Sequence, residues 1–436
     1  MPSHHRGLGK IFIILFVTAL LIAGAGFYGY QFVKNLTPEK IIQTEFIRKQ
    51  VGEQNQDLLK LAPKLLGFDR PRTYLWLFEN NTELRPGGGF IGVYAVIRFA
   101  KGKMELLAMD GTENLDRNAP VDWKQLPPAP ISEQLKVSRW YFRDANWSPD
   151  FSVSAKKALE LYKGEKGIAS DEIDAIMAFT PTVLEELLRL TGPITVQGIE
   201  FTSENVTEKL EYEVEYGYDD KGIAFQERKQ IISPLFLALL DKLKSGVFTN
   251  FKNYFSLLDK LVKGKQIMAY APSAELQKII FTQGMSGEMA ETAGDYLMWV
   301  DANLAALKTD RVMERTLNYR LEQQTDGQYL ATAEMNYKNN GKFDWRTTRY
   351  RTYARVFVPA GSKLSEAVLT DERGLEQKIN KFDQGEELGK QWFGTFVVIE
   401  PGHNKQLRFS YYLPANIVSS QEYSLTVQKQ LGALAH

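Results

Sequence analysis

The chain of 436 residues contains no cysteine. That excludes a disulfide framework, a thiolate zinc site, a cysteine nucleophile and a lipid-modified cysteine behind the leader. Histidine is nearly as scarce. His4 and His5 lie at the amino end, His403 in a β-patterned stretch and His436 at the last position, so the centre of the chain has no histidine to act as a general base. Net charge is absent as well. With 53 basic and 53 acidic residues, nothing points to bulk neutralisation of nucleic-acid phosphates, and no nucleic acid is expected as a partner. The signatures GxSxG and HExxH, the P-loop and GxGxxG are missing, and no tandem repeat of fixed period occurs. What remains is 44% hydrophobic and 12% aromatic content, enough for two domains whose folding rests on core burial.

The amino terminus sets the location. From Ile11 to Gly29 the chain reads IFIILFVTALLIAGAGFYG, with no charge and no proline, a length that crosses a hydrocarbon core as a helix. Arg6 and Lys10 precede it. The positive-inside rule then makes residues 1–10 a cytoplasmic head, 11–29 a transmembrane anchor and the rest extracytoplasmic. The alternative is a cleaved signal peptide ending near Ala23–Gly26. The long apolar run and the lack of a clean A-x-A site favour the anchor. Residues 37–68 follow as a helical stalk, with Thr37 and Pro38 as cap and first-turn proline. It has no sustained heptad to make it a coiled coil.

Beyond the stalk, aromatic and β-branched runs alternate with helical ones. Strands are expected at Thr73–Phe78, Phe90–Phe99, Met104–Met109, Ala175–Phe179 and Asp295–Val300. Helices are expected at Ser154–Lys163, Pro181–Leu190, Ser203–Glu215, Gln226–Leu243, Tyr254–Val262 and Ser273–Phe281. Pro234 marks a kink or a start in the fourth of these. After Asp310 the texture changes to alternating apolar and polar residues between Gly and Asn turns. The fold class expected is therefore α/β over 70–310, followed by an all-β sandwich-like domain over 311–436.

Three polar clusters stand out. In YLWLFENNTELRPGGGFIGVY (Tyr74 to Tyr94) an apolar strand runs into a loop with Arg85 and Gly87, Gly88 and Gly89. Glycines that turn N–H groups toward one point, beside a permanently charged fork, make an anion site; a hairpin turn with a solvated arginine accounts for the same residues. In RDANWSPDF, Arg143 forms a clamp beside the oxygen donors Asp144, Asn146 and Asp150, which suit magnesium, while helix capping and ion pairing are the bland account. In DYLMWVDANLAALKTDR, Asp295, Asp301, Asn303, Lys308, Asp310 and Arg311 are spaced along and beyond a buried strand, where they suit metal and phosphate binding or decorate a surface loop.

In this order the clusters resemble the bacterial family catalogued as domain of unknown function 4012. The matching pieces are YLWLFENNTELRPGGGFIG, the aspartates of MDGTENLD, RDANWSPDF, the block DEIDAIMAFTPTVLEELLRLTGPITV and DYLMWVDANLAALKTD, with Ala175 where that family usually has glycine. The plan of one anchor and an outward domain is in turn similar to the LytR-CpsA-Psr proteins, which transfer glycopolymers from undecaprenyl pyrophosphate to the cell wall. That resemblance implies a mixed sheet with helices on its faces, a pyrophosphate held by arginines, a Mg2+ ion held by aspartates and a greasy slot for the prenyl tail. Carried over, Arg85 clamps pyrophosphate, Arg143 makes a second contact and Asp144 joins them as a catalytic residue. Asn81, Glu83, Gly87, Gly88, Gly89, Asn146, Asn303 and Lys308 line the substrate, and Asp144, Asp150 and Asp301 hold the cation. The apolar run Ile231–Leu240 lines the lipid slot or is simply core. Two functions are thus expected. One is a Mg2+-dependent phosphotransferase or pyrophosphate hydrolase acting on a lipid-linked glycan or cell-wall polymer. The other is a noncatalytic envelope protein that binds glycan, lipid or a protein. The sequence leaves the oligomeric state open.

Overall fold

The computed structural model describes residues 62–418 and 423–434. The proposed anchor, Ile11–Gly29, and nearly all of the stalk lie outside the described residues, and among those described no helix is long and apolar enough to cross a membrane. The chain divides into two compact units. Unit 1 takes in the described residues up to Glu79, Ile91–Trp123 and Phe151–Gly287; unit 2 takes in Asn80–Phe90, Lys124–Asp150 and Glu288 onward.

Unit 1 is an α/β layer structure. Its mixed five-stranded sheet has the order β3-β2-β1-β4-β7, formed by β1 (Arg72–Asn80), β2 (Phe90–Ala100), β3 (Lys103–Gly111), β4 (Ile173–Phe179) and β7 (Ile267–Tyr270). β1 and β4 pair in parallel, β4 and β7 antiparallel. Both faces are covered, which is why β1 and β4 read as nearly unbroken apolar runs rather than alternating ones. On one face Tyr74, Trp76, Ala175 and Met177 share a core with α3 (Pro181–Thr191) and α5 (Ile232–Lys263). Trp76 meets Phe236 edge-on at 5.8 Å. On the other, Tyr94 meets Tyr162 of α2 (Phe151–Gly164) at 5.5 Å. Between β3 and α2 comes α1 (Thr112–Asn118); the hairpin β5 (Ile194–Val196) and β6 (Ile199–Phe201) precedes α4 (Val206–Tyr212), and α6 (Ala274–Thr282) closes the unit.

The helices expected at Gln226–Leu243 and Tyr254–Val262 are one helix of 32 residues, α5, which begins only at Ile232. Pro234 therefore stands in its first turn, where no N–H is needed and the fixed φ is favourable. The IISPLFLALL run is core: Ile231, Leu235, Phe236, Leu239 and Leu240 all pack in the main cluster of unit 1. The expected helix Ser203–Glu215 starts at Val206 and widens into a π-helical turn over Glu213–Gly217.

Unit 2 is β-rich. One sheet has the order β13-β12-β16-β10-β9, the other β14-β15-β11-β8-β17. The strands are β8 (Asp295–Asn303), β9 (Met313–Gln323), β10 (Tyr329–Asn339), β11 (Tyr350–Pro359), β12 (Lys363–Asp371), β13 (Glu376–Lys378), β14 (Asp383–Glu387), β15 (Lys390–Ile399), β16 (Asn404–Tyr412) and β17 (Leu425–Val427). Residues of both sheets share one core, with Trp299 against Phe409 at 5.7 Å and Phe393 against Tyr411 at 6.0 Å, so the two sheets form a sandwich. Where the sequence places a break near Asp310, the units part between Gly287 and Glu288, because β8 pairs with β11 inside the sandwich. Two earlier segments, residues 80–90 and 124–150, also belong to unit 2.

Asp174, the acid that opens the DAIM run, ties down the start of β1. It accepts a hydrogen bond from Thr73 N at 3.0 Å and pairs with Arg72 at 3.3 Å and with Arg70. Asp174→Ala takes the acceptor from the Thr73 N–H and a carboxylate from the buried Arg72, and is expected to cost about 1–3 kcal/mol. Glu172→Ala, whose ion pair with Arg98 is largely in solvent, is expected to cost less than about 1 kcal/mol. Urea denaturation of the two variants, with unchanged slope, checks the difference.

Candidate functional site

The candidate residues of the three polar clusters fall in unit 2, and the fold turns most of them inward. Arg85 is 3% exposed. Its Nη1 donates to the carbonyl oxygen of Asn303, and its Nη2 lies 3.5 Å from Glu83 Oε1 and 3.5 Å from Asp144 Oδ1. The guanidinium stands 5.3 Å over the Phe90 ring. Nε is left without a hydrogen-bond partner. Asp144, also buried, bridges onward to Arg143 Nε at 3.6 Å. Arg143 differs from Arg85: its side chain is 30% exposed and lies over the Tyr141 ring at 4.7 Å. The two arginines thus flank one carboxylate, and Arg85 is also compensated by Glu83.

The triglycine segment is held from within. Gly87 N donates to Asn146 O at 3.2 Å, Gly88 N to Arg85 O at 3.0 Å, and Asn146 Nδ2 to Gly89 O at 2.9 Å. Glycine is required for space as well as for φ. Gly88 has φ 136, and a Cβ on Gly432 would lie 1.9 Å from Gly88 O. Asn81 Nδ2 donates to the Gly432 carbonyl at 2.9 Å and Gln430 Nε2 to Arg85 O at 3.2 Å. Of the amides expected to face an anion, those of Gly87 and Gly88 are thus committed to backbone carbonyls of the same unit.

Asp301 has a different set of partners. On β8 it shares the inter-sheet face with Leu297 and Trp299 and is fully buried. Tyr337 Oη donates to it at 2.7 Å, Thr352 Oγ1 at 2.9 Å and Arg315 Nε at 3.2 Å. Arg315 also pairs with Asp310 and donates to Tyr350 Oη at 2.7 Å. Asp310 accepts from Asn303 Nδ2 at 2.7 Å and from Leu84 N at 3.0 Å. Burial pushes the Asp301 carboxyl above its ordinary range, against the pull of the Arg315 charge and the two hydroxyls. Asp150 accepts from Met289 N at 2.8 Å, and the Lys308 N–H donates to Arg346 O at 2.9 Å.

The fold therefore brings together Arg85, Glu83, Asp144, Arg143 and Asn303, and separately Asp301, Asp310 and Asn303 around Arg315. Among the described residues no group of three or more His, Asp or Glu side chains converges so as to hold a metal ion. Sequence reasoning missed Arg315, Tyr337, Tyr350 and Gln430. The signal for Arg315 was present: in MERTLNYRL it occupies the same alternate phase as Met313, Leu317 and Tyr319, the inward face of β9.

Unit 1 has a polar cleft of its own, of about 680 Å³, lined among others by Asp110, Asn114, Arg117, Gln226 and Lys229. Lys229 donates to Gly92 O at 2.6 Å and pairs with Glu113, to which Arg228 adds a contact at 3.0 Å. Burial, with the Arg228 charge beside it, lowers the Lys229 ammonium more than the Glu113 and Glu215 carboxylates restore. Burial would raise Glu113, but Lys229 and Arg228 together outweigh it and hold the carboxyl below its ordinary range.

Removing Arg315 strands two buried carboxylates, so Arg315→Ala is expected to cost about 3–5 kcal/mol. Arg143→Ala, at a part-exposed pair, is expected to cost less than about 1 kcal/mol; chemical denaturation of the full chain separates them. Glu113 has a folded pKa below its unfolded one. Its contribution is therefore present above about pH 4.3, the ordinary glutamate value, and lost as pH falls through the lower folded value. The stability gap between the parent protein and Glu113→Gln should shrink on acidification through that window.

A solved structure that is similar over part of the chain is a cycloisomaltooligosaccharide glucanotransferase of Paenibacillus sp., in complex with cycloisomaltoheptaose. The identity is 9% and the TM-score 0.16, over 32% of this chain and 22% of that one. The present chain spans less than a quarter of that protein's length, and a likeness at this level carries no argument. No curated protein sequence matches the chain. A family model does: residues 69–215 match DUF4012, described as a protein of unknown function. That stretch covers strands β1 to β4 together with RDANWSPDF, and over it the chain is similar to the DUF4012 domain family.

Proposed function

We propose that this protein is a noncatalytic binding protein of the cell envelope, tethered to the membrane by residues 11–29 with the bulk of the chain on the extracytoplasmic side. The tether rests on the charge-free apolar run behind Arg6 and Lys10. The noncatalytic reading rests on Arg85. A guanidinium meant for pyrophosphate has to meet its ligand with charge to spare, and this one is 3% exposed, flanked by Glu83 and Asp144, and bound to the Asn303 carbonyl. Displacing those partners would desolvate and unpair two carboxylates, a cost of several kcal/mol. The triglycine N–H groups of Gly87 and Gly88 are likewise engaged.

One observation favours a second reading, the Mg2+-dependent phosphotransferase of LytR-CpsA-Psr type. Arg143 keeps nearly a third of its side chain accessible beside Asp144, an arrangement that suits contact with a phosphate oxygen. In that reading Asp144 and Asp150 would hold the cation, which would neutralise charge on the transferred phosphoryl group.

The test is turnover. Full-length protein incubated with an undecaprenyl-pyrophosphate-linked oligosaccharide and Mg2+ is expected to release no phosphate and transfer no glycan. Magnesium-dependent turnover that Arg143→Ala abolishes, in a variant whose unfolding transition is intact, would overturn the noncatalytic reading.

A further inference from the structure

One sheet of unit 2 ends on a long open strand. Among the described residues β9 pairs with β10 alone, and no other described segment hydrogen-bonds to the backbone of Met313–Gln323. Along its free side, alternate N–H and C=O groups therefore point away from the sheet. The other edges of the sandwich are short: β13 and β17 have three residues each and β14 five. β9 has eleven, with no proline, no glycine and no shift in its register with β10. Edges that stay unpaired are usually blunted by shortness, a bulge or a proline, and β9 has none of these.

The pattern along β9 says which strand fits it. Glu314, Thr316, Asn318, Arg320 and Glu322 are exposed, while Met313, Leu317 and Leu321 on the other face pack partly against the sandwich core. A two-fold axis normal to the sheet sets two copies of β9 antiparallel with both core faces on the same side, which allows only registers that oppose residues of the same phase. With the axis at Leu317, Glu314 stands opposite Arg320 on both sides of it, Thr316 opposite Asn318 and Met313 opposite Leu321. An axis at Asn318 would set Glu314 against Glu322, and one at Thr316 would leave Glu314 and Arg320 without opposite charges. Opposite charges facing across an antiparallel pair are favourable and like charges are not. Within one chain Glu314 accepts from Asn340 Nδ2 at 2.8 Å and lies 3.4 Å from Lys338, and Arg320 lies 3.3 Å from Glu322. All four ion-pairing side chains are more than half exposed, so these pairs are weak and yield readily to a facing strand.

We infer that β9 is an interface for a second copy of this chain: two protomers pair antiparallel through Met313–Leu321 about a two-fold at Leu317, which joins two five-stranded sheets into one. Main-chain hydrogen bonds hold the strands together and the Glu314–Arg320 pairs set the register. The partly buried Met313, Leu317 and Leu321 are covered by the same residues of the other protomer. The inference goes beyond the proposed function and is independent of whether the protein turns over a substrate.

The experiment is light scattering of the full-length protein in detergent over a range of concentrations, with the detergent mass subtracted. A concentration-dependent change from monomer to dimer is expected. Glu314→Arg and Arg320→Glu each turn two attractive pairs into two repulsive ones, and each is expected to raise the dissociation constant about tenfold, equivalent to ~1.4 kcal/mol. The double variant Glu314→Arg with Arg320→Glu restores both pairs and is expected to associate like the parent. These positions are exposed, and an unchanged unfolding transition shows that each variant keeps the fold. Because the chain has no cysteine, Thr316→Cys with Asn318→Cys adds its only thiols, opposite each other across the two-fold, and mild oxidation is expected to trap a covalent dimer. A monomer at every concentration, a dimer that the single reversals leave unchanged, a double reversal as weak as the single ones, or no covalent dimer on oxidation overturns the inference.

Discussion

The sandwich of unit 2 depends on one buried charge cluster, Arg315 between Asp301 and Asp310. A carboxylate inside a protein is tolerable only with a cation and hydrogen-bond donors in place. Asp301 obtains them from β9, β10 and β11 through Arg315, Tyr337 and Thr352. Asp310 in turn accepts from Leu84 N and Asn303 Nδ2, which fixes the segment of residues 80–90 against the end of β8. A slip of β9 by one residue would turn Arg315 outward and leave both acids uncompensated, so the cluster specifies register as well as contributing contacts.

Arg85 is a second instance of the same constraint. Its loop enters unit 2 between two strands of the unit 1 sheet, and once there its charge is met by Glu83 and Asp144. The residues that resemble a catalytic constellation in sequence are therefore spent on joining three chain segments of one unit. In unit 1 the pattern is reversed: strands β1 and β4 are apolar on both faces, and the polar groups around Asp110 and Asn114 line an open cleft. The contrast is between polarity spent inside the unit 2 cluster and polarity left facing an open cleft in unit 1.

Much of the secondary structure was legible. β1, β2, β4, α2, α3 and, after Asp310, β9, β10, β11, β15 and β16 follow from period and turn chemistry to within a few residues, whereas β12, β13, β14 and β17 do not. The length of α5 was not, because the sequence divides it into Gln226–Leu243 and Tyr254–Val262, although the helix start offered at Pro234 agrees with the proline's place in the first turn. β7 is a run of four residues, too short for periodicity to separate it from a buried helix segment. The polar clusters were found as clusters, but not their partners. Arg143 and Asp144 are adjacent in sequence, yet the group that compensates Asp301 lies on a different strand, and nothing in DYLMWVDAN points to it.

The sequence by itself determined the local layers of the fold: which runs are buried on both faces, which alternate, and that neither cysteine nor a central histidine is available for chemistry. It marked Arg85 and Asp301 beside apolar strands, where a charge that proves to be buried needs partners. Only the tertiary structure decided who those partners are. Pairing between charges depends on distances across strands and loops far apart in the chain, and those distances exist only once the sheets have packed.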